Sequence, residues 1–182
     1  MFRRRMGTWR LALAAVAVVI GPACAAQRAE GPLGVALGLS PDETARALRE
    51  YDFCRRPGPG GAEEVFPQCD RPGRGFGDAW VVAHYRSGRL VKLARFERWA
   101  DEARAEGRWN QLIEKRAVGT PPSQAARDRI FARQRIPERT RSWVAFSTPD
   151  ALVGVYLLHP ITSDDPSILE ELIPIDAPAA TP

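Results

Sequence analysis

The chain has almost no lysine, histidine or methionine, and no apolar stretch long enough to cross a bilayer. Lys92 and Lys115 are its two lysines, and His84 and His159 its two histidines. Two histidines give zinc ligation and histidine-base catalysis little to draw on. Neither a Gly-x-Ser-x-Gly elbow nor a His-Glu-x-x-His pair occurs, so the serine-hydrolase and zinc-protease signatures are missing. The longest apolar run, Leu11–Ile20, has ten residues, against the ~20 that a membrane-spanning helix needs. Cysteine is scarce too: Cys24, Cys54 and Cys69 are the full set.

That short apolar run follows Arg3, Arg4, Arg5 and Arg10 and precedes Gly21-Pro22-Ala23-Cys24-Ala25-Ala26. Positive charge, a short apolar stretch and small residues in this order read as a secretory signal peptide over residues 1–25. Two processing routes stay open. Cleavage after Ala25 satisfies the small-x-small rule; alternatively Cys24 becomes the lipidated first residue, although Gly21 and Pro22 make a poor lipobox. The expected address is periplasmic or secreted, with an outer-membrane lipoprotein as the tethered variant.

Removing the signal changes the electrostatics. Of 26 basic residues the four arginines above are lost with it, leaving 22 basic against 22 acidic. A neutral mature chain argues against nucleic-acid partners, whose phosphates demand a basic surface. The preference for arginine over lysine reads either as many bidentate anion sites or as codon bias.

An exported chain left with Cys54 and Cys69 is expected to bridge them. The intervening Gly- and Pro-rich loop is costly to close. In the chain-entropy model a loop of about 15 residues gives roughly 3 kcal/mol when cross-linked. A metal site or redox pair is the alternative, but the spacing lacks the closeness of a zinc knuckle or a thioredoxin-type pair.

The remaining residues predict an α+β protein in two similar helix-plus-antiparallel-hairpin units packed together, with the disulfide in the first. After a linker at 26–37, the first unit spans 38–116 and the second 117–172, and a disordered tail covers 173–182. Ser40-Pro41-Asp42-Glu43 is a capping box that opens a helix to about Tyr51. Ala79–Tyr85 and Leu90–Phe96 flank Ser87-Gly88 as a hairpin. Glu97–Arg116 is a charged helix that Gly107 weakens, and residues 122–134 form another, with Ala126, Ile130 and Phe131 as its inward candidates. Ser142–Ser147 and Ala151–His159 form a second hairpin, and Asp165-Pro166 caps a short helix through Glu171. Gly38–Arg46 aligns with Gly119–Arg127, and a Trp-Val strand follows each (Trp80-Val81, Trp143-Val144), which suggests duplication.

Gly38-Leu39-Ser40-Pro41 opening a helix, followed by Trp80-Val-Val-Ala-His-Tyr85-Arg-Ser-Gly88-Arg-Leu90 as strand-turn-strand, resembles the small outer-membrane assembly lipoproteins of the SmpA/OmlA (BamE) type. A tandem copy resembles the secreted β-lactamase inhibitor proteins. Where the family has Gly-x-Pro after its first helix, this chain has Tyr51-Asp52-Phe53-Cys54. The resemblance implies a non-catalytic binding or assembly role in the cell envelope and brings no site residues with it.

No residue constellation argues for catalysis. His84 lies mid-strand and His159 ends one. Gly73, Gly75 and Gly77 follow Pro72 rather than a strand, so they lack the context of a phosphate loop. Asp101-Glu102, Asp164-Asp165 and Glu170-Glu171 are adjacent carboxylates, which do not oppose each other across a cleft. Arg55, Arg56, Arg71 and Arg74 are a candidate anion rim, diluted by Glu63, Glu64, Asp70 and Asp78. Trp80, Trp99, Trp109 and Trp143 are expected to fill the core, and Trp99 with Trp109 becomes a candidate partner surface if both are exposed. The expectation is an exported, non-catalytic protein without cofactor or metal that binds another protein or an envelope component. A motif-less periplasmic enzyme and a secreted inhibitor are the alternatives.

Overall fold

The computed structural model describes residues 31–56, 61–70, 78–160 and 165–176. The expected signal segment, Cys24, the Gly73–Gly77 loop, Arg71, Arg74 and residues 177–182 of the expected tail lie outside them.

The protein is α+β. Six strands, β1 (Glu63–Pro67), β2 (Ala79–Arg86), β3 (Arg89–Arg98), β4 (Thr140–Ser147), β5 (Ala151–Leu158) and β6 (Ser167–Pro174), form one antiparallel sheet. Its order is β1-β2-β3-β6-β5-β4. Two three-stranded meanders therefore meet edge to edge, with β3 and β6 as the seam. Three helices accompany them: α1 (Pro41–Arg49), α2 (Glu102–Ala117) and α3 (Gln124–Arg133).

Local chemistry explains the best-read elements. The Ser40 hydroxyl accepts from the Glu43 N–H at 3.3 Å, and the Ser40 N–H donates to Glu43 Oε2 at 2.8 Å. This reciprocal cap is worth about 1 kcal/mol to α1. The β2–β3 turn places both Ser87 (φ 51°) and Gly88 (φ 70°) at positive φ, as a two-residue type I′ hairpin requires. The Asp101 carboxylate caps α2 by accepting from the Arg104 N–H at 2.8 Å. Gly107 does not interrupt that helix.

Strand alternation sorts the core. Phe66, Val81, Ala83, Leu93, Val153, Val155, Ile168 and Leu172 face one side, beneath Leu48 of α1 and Ala105 and Leu112 of α2. On the other side Ala145, Leu152 and Ile173 pack under Ala126 and Ile130 of α3. Every residue of β5 is buried, because helices cover both its faces. Thus α1 and α3, the two helices that open the expected repeats, lie on opposite faces of the sheet. Trp80 stands on β2 in the middle of its meander, whereas Trp143 stands on the edge strand β4.

Several expectations need correction. Residues 165–171 do not form a capped helix; Ser167–Pro174 is a strand. Ile168, Leu169, Leu172 and Ile173 suit a helix face, but they equally supply two apolar faces to a central strand, and β3 and β5 offer edges on both sides. The boundary at residue 172 thus falls inside β6. The cysteine loop is not wholly irregular: Glu63–Pro67 pairs with β2, with Phe66 fully buried. Glu97 belongs to β3, and α2 starts only at Glu102. Phe131 points outward, 72% exposed, while Ile130 is buried. The described part of the linker is docked: Val35 is buried, and the Gly38 N–H donates to the Leu90 carbonyl at 2.8 Å.

Cys54 and Cys69 are bridged, with Cα atoms 4.8 Å apart. The Cys54 N–H donates to Pro67 O at 2.9 Å and the Arg56 N–H to Val65 O at 3.1 Å, which lays residues 53–56 along the outer edge of β1. The bridge therefore locks the rim of the sheet. Replacing both cysteines by serine is expected to lower unfolding free energy by roughly 3 kcal/mol in urea titrations. An unchanged midpoint would show that the backbone ladder alone holds this edge.

Candidate functional site

The site is built from charges placed where apolar residues are the rule. On β3 the inward positions run Leu93, Arg95, Glu97, and on β6 they run Ile168, Glu170, Leu172, with Arg95 directly opposite Glu170. Above this seam α2 presents Arg108, Leu112 and Arg116 at four-residue spacing, along one helix stripe.

Five charged side chains close into one network. Arg108 donates through Nε and Nη2 to the two oxygens of Glu97, each at 3.1 Å. Arg116 donates through Nε (3.0 Å) and Nη2 (2.9 Å) to Glu170 Oε1. Arg95 links the two carboxylates, donating from Nη1 to Glu170 Oε2 at 3.3 Å and from Nη2 to Glu97 Oε1. Glu97 and Glu170 are only 6% and 3% exposed. Ions this deep demand partners, because desolvation costs several kcal/mol per charge. Among the described residues, three guanidinium groups converge on these two carboxylates.

Beside it opens a cleft of about 1000 Å³. Arg95, Glu170 and Val153 line it from the sheet, Arg108, Gln111, Leu112, Lys115 and Arg116 from α2, and Phe146 to Asp150 from β4 and the following turn. The fourth side is the 3₁₀ turn Pro32–Gly34 with Tyr51. Leu33 in that turn holds φ 60°, a left-handed conformation that costs a branched residue about 1–2 kcal/mol. Gly31 lies against Leu172 so closely that a Cβ there would collide with it. The backbone is thereby pressed onto the core while Leu33 lines the cleft.

A second, smaller network occupies the opposite face. Glu171 accepts from Lys92 Nζ and from Gln134 Nε2, both at 2.6 Å. Gln134 also donates to the Tyr156 hydroxyl at 3.3 Å, and burial pushes that phenol far above its ordinary pKa. Glu170 and Glu171, adjacent in sequence, thus serve separate networks on opposite faces.

The residues singled out from sequence are not brought together here. The disulfide sits on the sheet edge. Trp99 and Trp109 are half-buried against the helix-side core, and Trp109 Nε1 donates to Val155 O at 3.3 Å, so they do not form a shared exposed surface. His84 Nδ1 lies 3.3 Å from Glu63, and His159 Nδ1 3.8 Å from Glu102; neither lines the cleft. Arg55 is engaged with Asp42 (3.0 Å) and Glu64 (3.2 Å). Among the described residues no cluster of His, Cys, Asp and Glu is arranged to hold a metal. Sequence reasoning missed the five-residue network. Its trace was there: arginine and glutamate at inward strand positions, and arginines flanking Leu112 on the buried stripe of α2.

No protein-family model matches the chain, no curated protein matches its sequence, and no solved structure matches its fold.

Glu170→Gln removes the buried carboxylate that accepts from both Arg95 and Arg116. Unfolding free energy is expected to fall by about 3–5 kcal/mol, read by chemical denaturation; a loss under about 1 kcal/mol would mean that water reaches the seam. For His84, desolvation by burial lowers the pKa below 6.5, and Glu63 only partly opposes it. The unfolded chain then binds the proton more readily than the native one. The stability contributed by neutral His84 is present above pH 6.5 and is lost as pH falls through the depressed native value. His84→Gln should flatten that part of the stability–pH curve, measured by thermal unfolding from neutral to mildly acid pH.

Proposed function

We propose that this is an exported protein that acts by binding rather than by catalysis, with the cleft under α2 as its ligand site. The observation that carries the reading is the state of the cleft's carboxylates. Glu170 and its neighbour Glu97 each accept from two guanidinium groups, so their oxygens are occupied by structural partners rather than directed at a substrate proton. Both histidines lie elsewhere. The volume falls in the range of small-molecule sites, and a mixed lining of apolar walls and few polar groups is their usual make-up.

The N-terminal order of charge, apolar run and small residues supports export to the periplasm or medium, with Cys24 as a tether if it is lipidated. A disulfide is compatible with an oxidising compartment. No helix among the described residues is long and apolar enough to cross a membrane. The resemblance to SmpA/OmlA-type envelope domains belongs to this proposal. So does a tandem origin, supported at the level of the strands by two β-meanders joined at β3 and β6.

Native mass spectrometry of the chain recovered separately from cytoplasm, envelope and medium tests the reading. The expected result is recovery outside the cytoplasm with a bound adduct of under about 1 kDa. The adduct should disappear on denaturation and be absent from a Gln111→Trp variant that narrows the mouth. Recovery from the cytoplasm alone overturns export, and an adduct indifferent to Gln111→Trp overturns the cleft as the site.

A further inference from the structure

We propose that the open edge of β4 receives an extended peptide segment of a partner protein. The segment hydrogen-bonds the main chain of Trp143 and places an acidic side chain on Arg127. This surface lies apart from the cleft, and the proposal stands without it.

The two edges of the sheet are finished differently. The β1 edge is covered by residues 53–56, which the disulfide holds in place. Along the β4 edge, one backbone bond comes from outside the sheet among the described residues: the Ser123 N–H donates to the Ala145 carbonyl at 2.8 Å. That bond also fixes the phase of the ladder. A carbonyl directed at Ser123 is directed away from β5, so Ala145 and Gly154 form a non-hydrogen-bonded pair. Two positions back, Trp143 and Tyr156 form another. The N–H and C=O of Trp143 therefore face outward, and no backbone group among the described residues meets them there. An edge that presents a donor and an acceptor in this way is a template for another strand.

A residue added opposite Trp143 shares its face of the sheet, because directly opposite side chains project together. On that face stands Arg127. Its guanidinium carbon lies 4.6 Å from the Trp143 ring centroid, and the indole in turn stacks on Tyr156 with centroids 5.4 Å apart. Stacking holds the guanidinium in place and leaves its in-plane N–H donors available. Arg127 is exposed, and its side chain meets the Trp143 ring and no carboxylate among the described residues. A groove of about 230 Å³ runs here between Pro122, Ser123, Gln124 and Arg127 on one side and Trp143, Val144 and Ala145 on the other. Ala145 is 1% exposed, so the added segment stops at Ser123 and runs from Trp143 toward Thr140.

Charge selects the occupant. A segment with Asp or Glu opposite Trp143 gains a charge-assisted hydrogen bond to Arg127. A second copy pairing edge to edge offers only Thr-Arg-Ser-Trp-Val-Ala-Phe-Ser, which contains no acid. An acidic partner segment fits where the chain's own strand does not.

Titration of the isotope-labelled mature chain with blocked pentapeptides, followed through its amide chemical shifts, tests the proposal. The probes are acetyl-Thr-Val-Glu-Val-Thr-amide, the same peptide with Gln or Lys at its centre, and one N-methylated at the central Glu. The Glu peptide is expected to shift Trp143 and the Arg127 side chain most, with the Gln peptide about tenfold weaker and the Lys peptide weaker still. The N-methylated peptide cannot donate to the Trp143 carbonyl and should not bind measurably. Arg127→Gln, at an exposed position, should reduce the Glu peptide to the level of the Gln peptide. Equal binding of the Glu and Lys peptides, or a Glu peptide indifferent to Arg127→Gln, overturns the acidic assignment. Undiminished binding after N-methylation overturns strand pairing, and no binding by any peptide overturns the proposal as a whole. Shifts centred on Gln111 and Lys115 instead put the peptide in the cleft and overturn the edge as its site. A dimer in sedimentation that the Glu peptide fails to split gives the edge to a second copy, against the proposal.

Discussion

Two buried glutamates at the junction of β3 and β6, and the three half-buried arginines that hold them, set the terms for the rest of the molecule. Each meander alone would leave its own part of this set unpartnered: Arg95 and Glu97 on one, Glu170 on the other. Isolated in an apolar interior, each charge is penalised by several kcal/mol, and removing one partner exposes that penalty again. Joining the two strands satisfies the charges only if α2 also arrives, because Arg108 and Arg116 supply the remaining donors. The network therefore couples sheet closure to helix docking. A hydrophobic core of the same shape could match its stability but would not demand one register, with Arg95 across from Glu170. The arrangement favours that register, since a one-residue slip would send the charges of the slipped strand to the other face.

The same arrangement shapes the cleft. The helix α2 packs over β5 and β6, with Trp109 bonded to Val155 O, while its arginines reach to Glu97 and Glu170 on the seam. The space left between α2, the Pro32–Gly34 turn and the β4–β5 turn is lined by the outer surface of the network. Its polarity thus follows from how the core is held together. The strained Leu33 and the close approach of Gly31 to Leu172 define the remaining wall, from a segment whose sequence looks like mere linker.

How much of this was legible in advance differs by element. The capping box of α1, the Ser87-Gly88 turn and the Thr148-Pro149-Asp150 turn are written in neighbouring residues, and their chemistry acts over three or four positions. The disulfide followed from the cysteine count and the expected export signal. Strand β1 was hidden because Glu-Glu-Val-Phe-Pro sits inside a Gly- and Pro-rich loop and has only Phe66 as a fully buried anchor. Strand β6 was read as a helix because its apolar residues satisfy both periods; β3 and β5, each waiting with an open edge, resolved the ambiguity. The charged seam was passed over for a related reason. Glu170-Glu171 read as a solvated pair when set on a helix, but on a strand the two residues part to opposite faces.

The sequence by itself determined the cap that opens α1, the turn of the β2–β3 hairpin and the pairing of Cys54 with Cys69, because those outcomes depend on neighbouring residues or on a cysteine count. Only the tertiary structure decided that Arg95 meets Glu170, 75 positions away, and that Arg116 reaches the same carboxylate. Such pairings depend on which edges and faces are still unsatisfied once the local elements exist. Burial then turns a charge that would be ordinary at the surface into a constraint that only one arrangement of strands and helix fulfils.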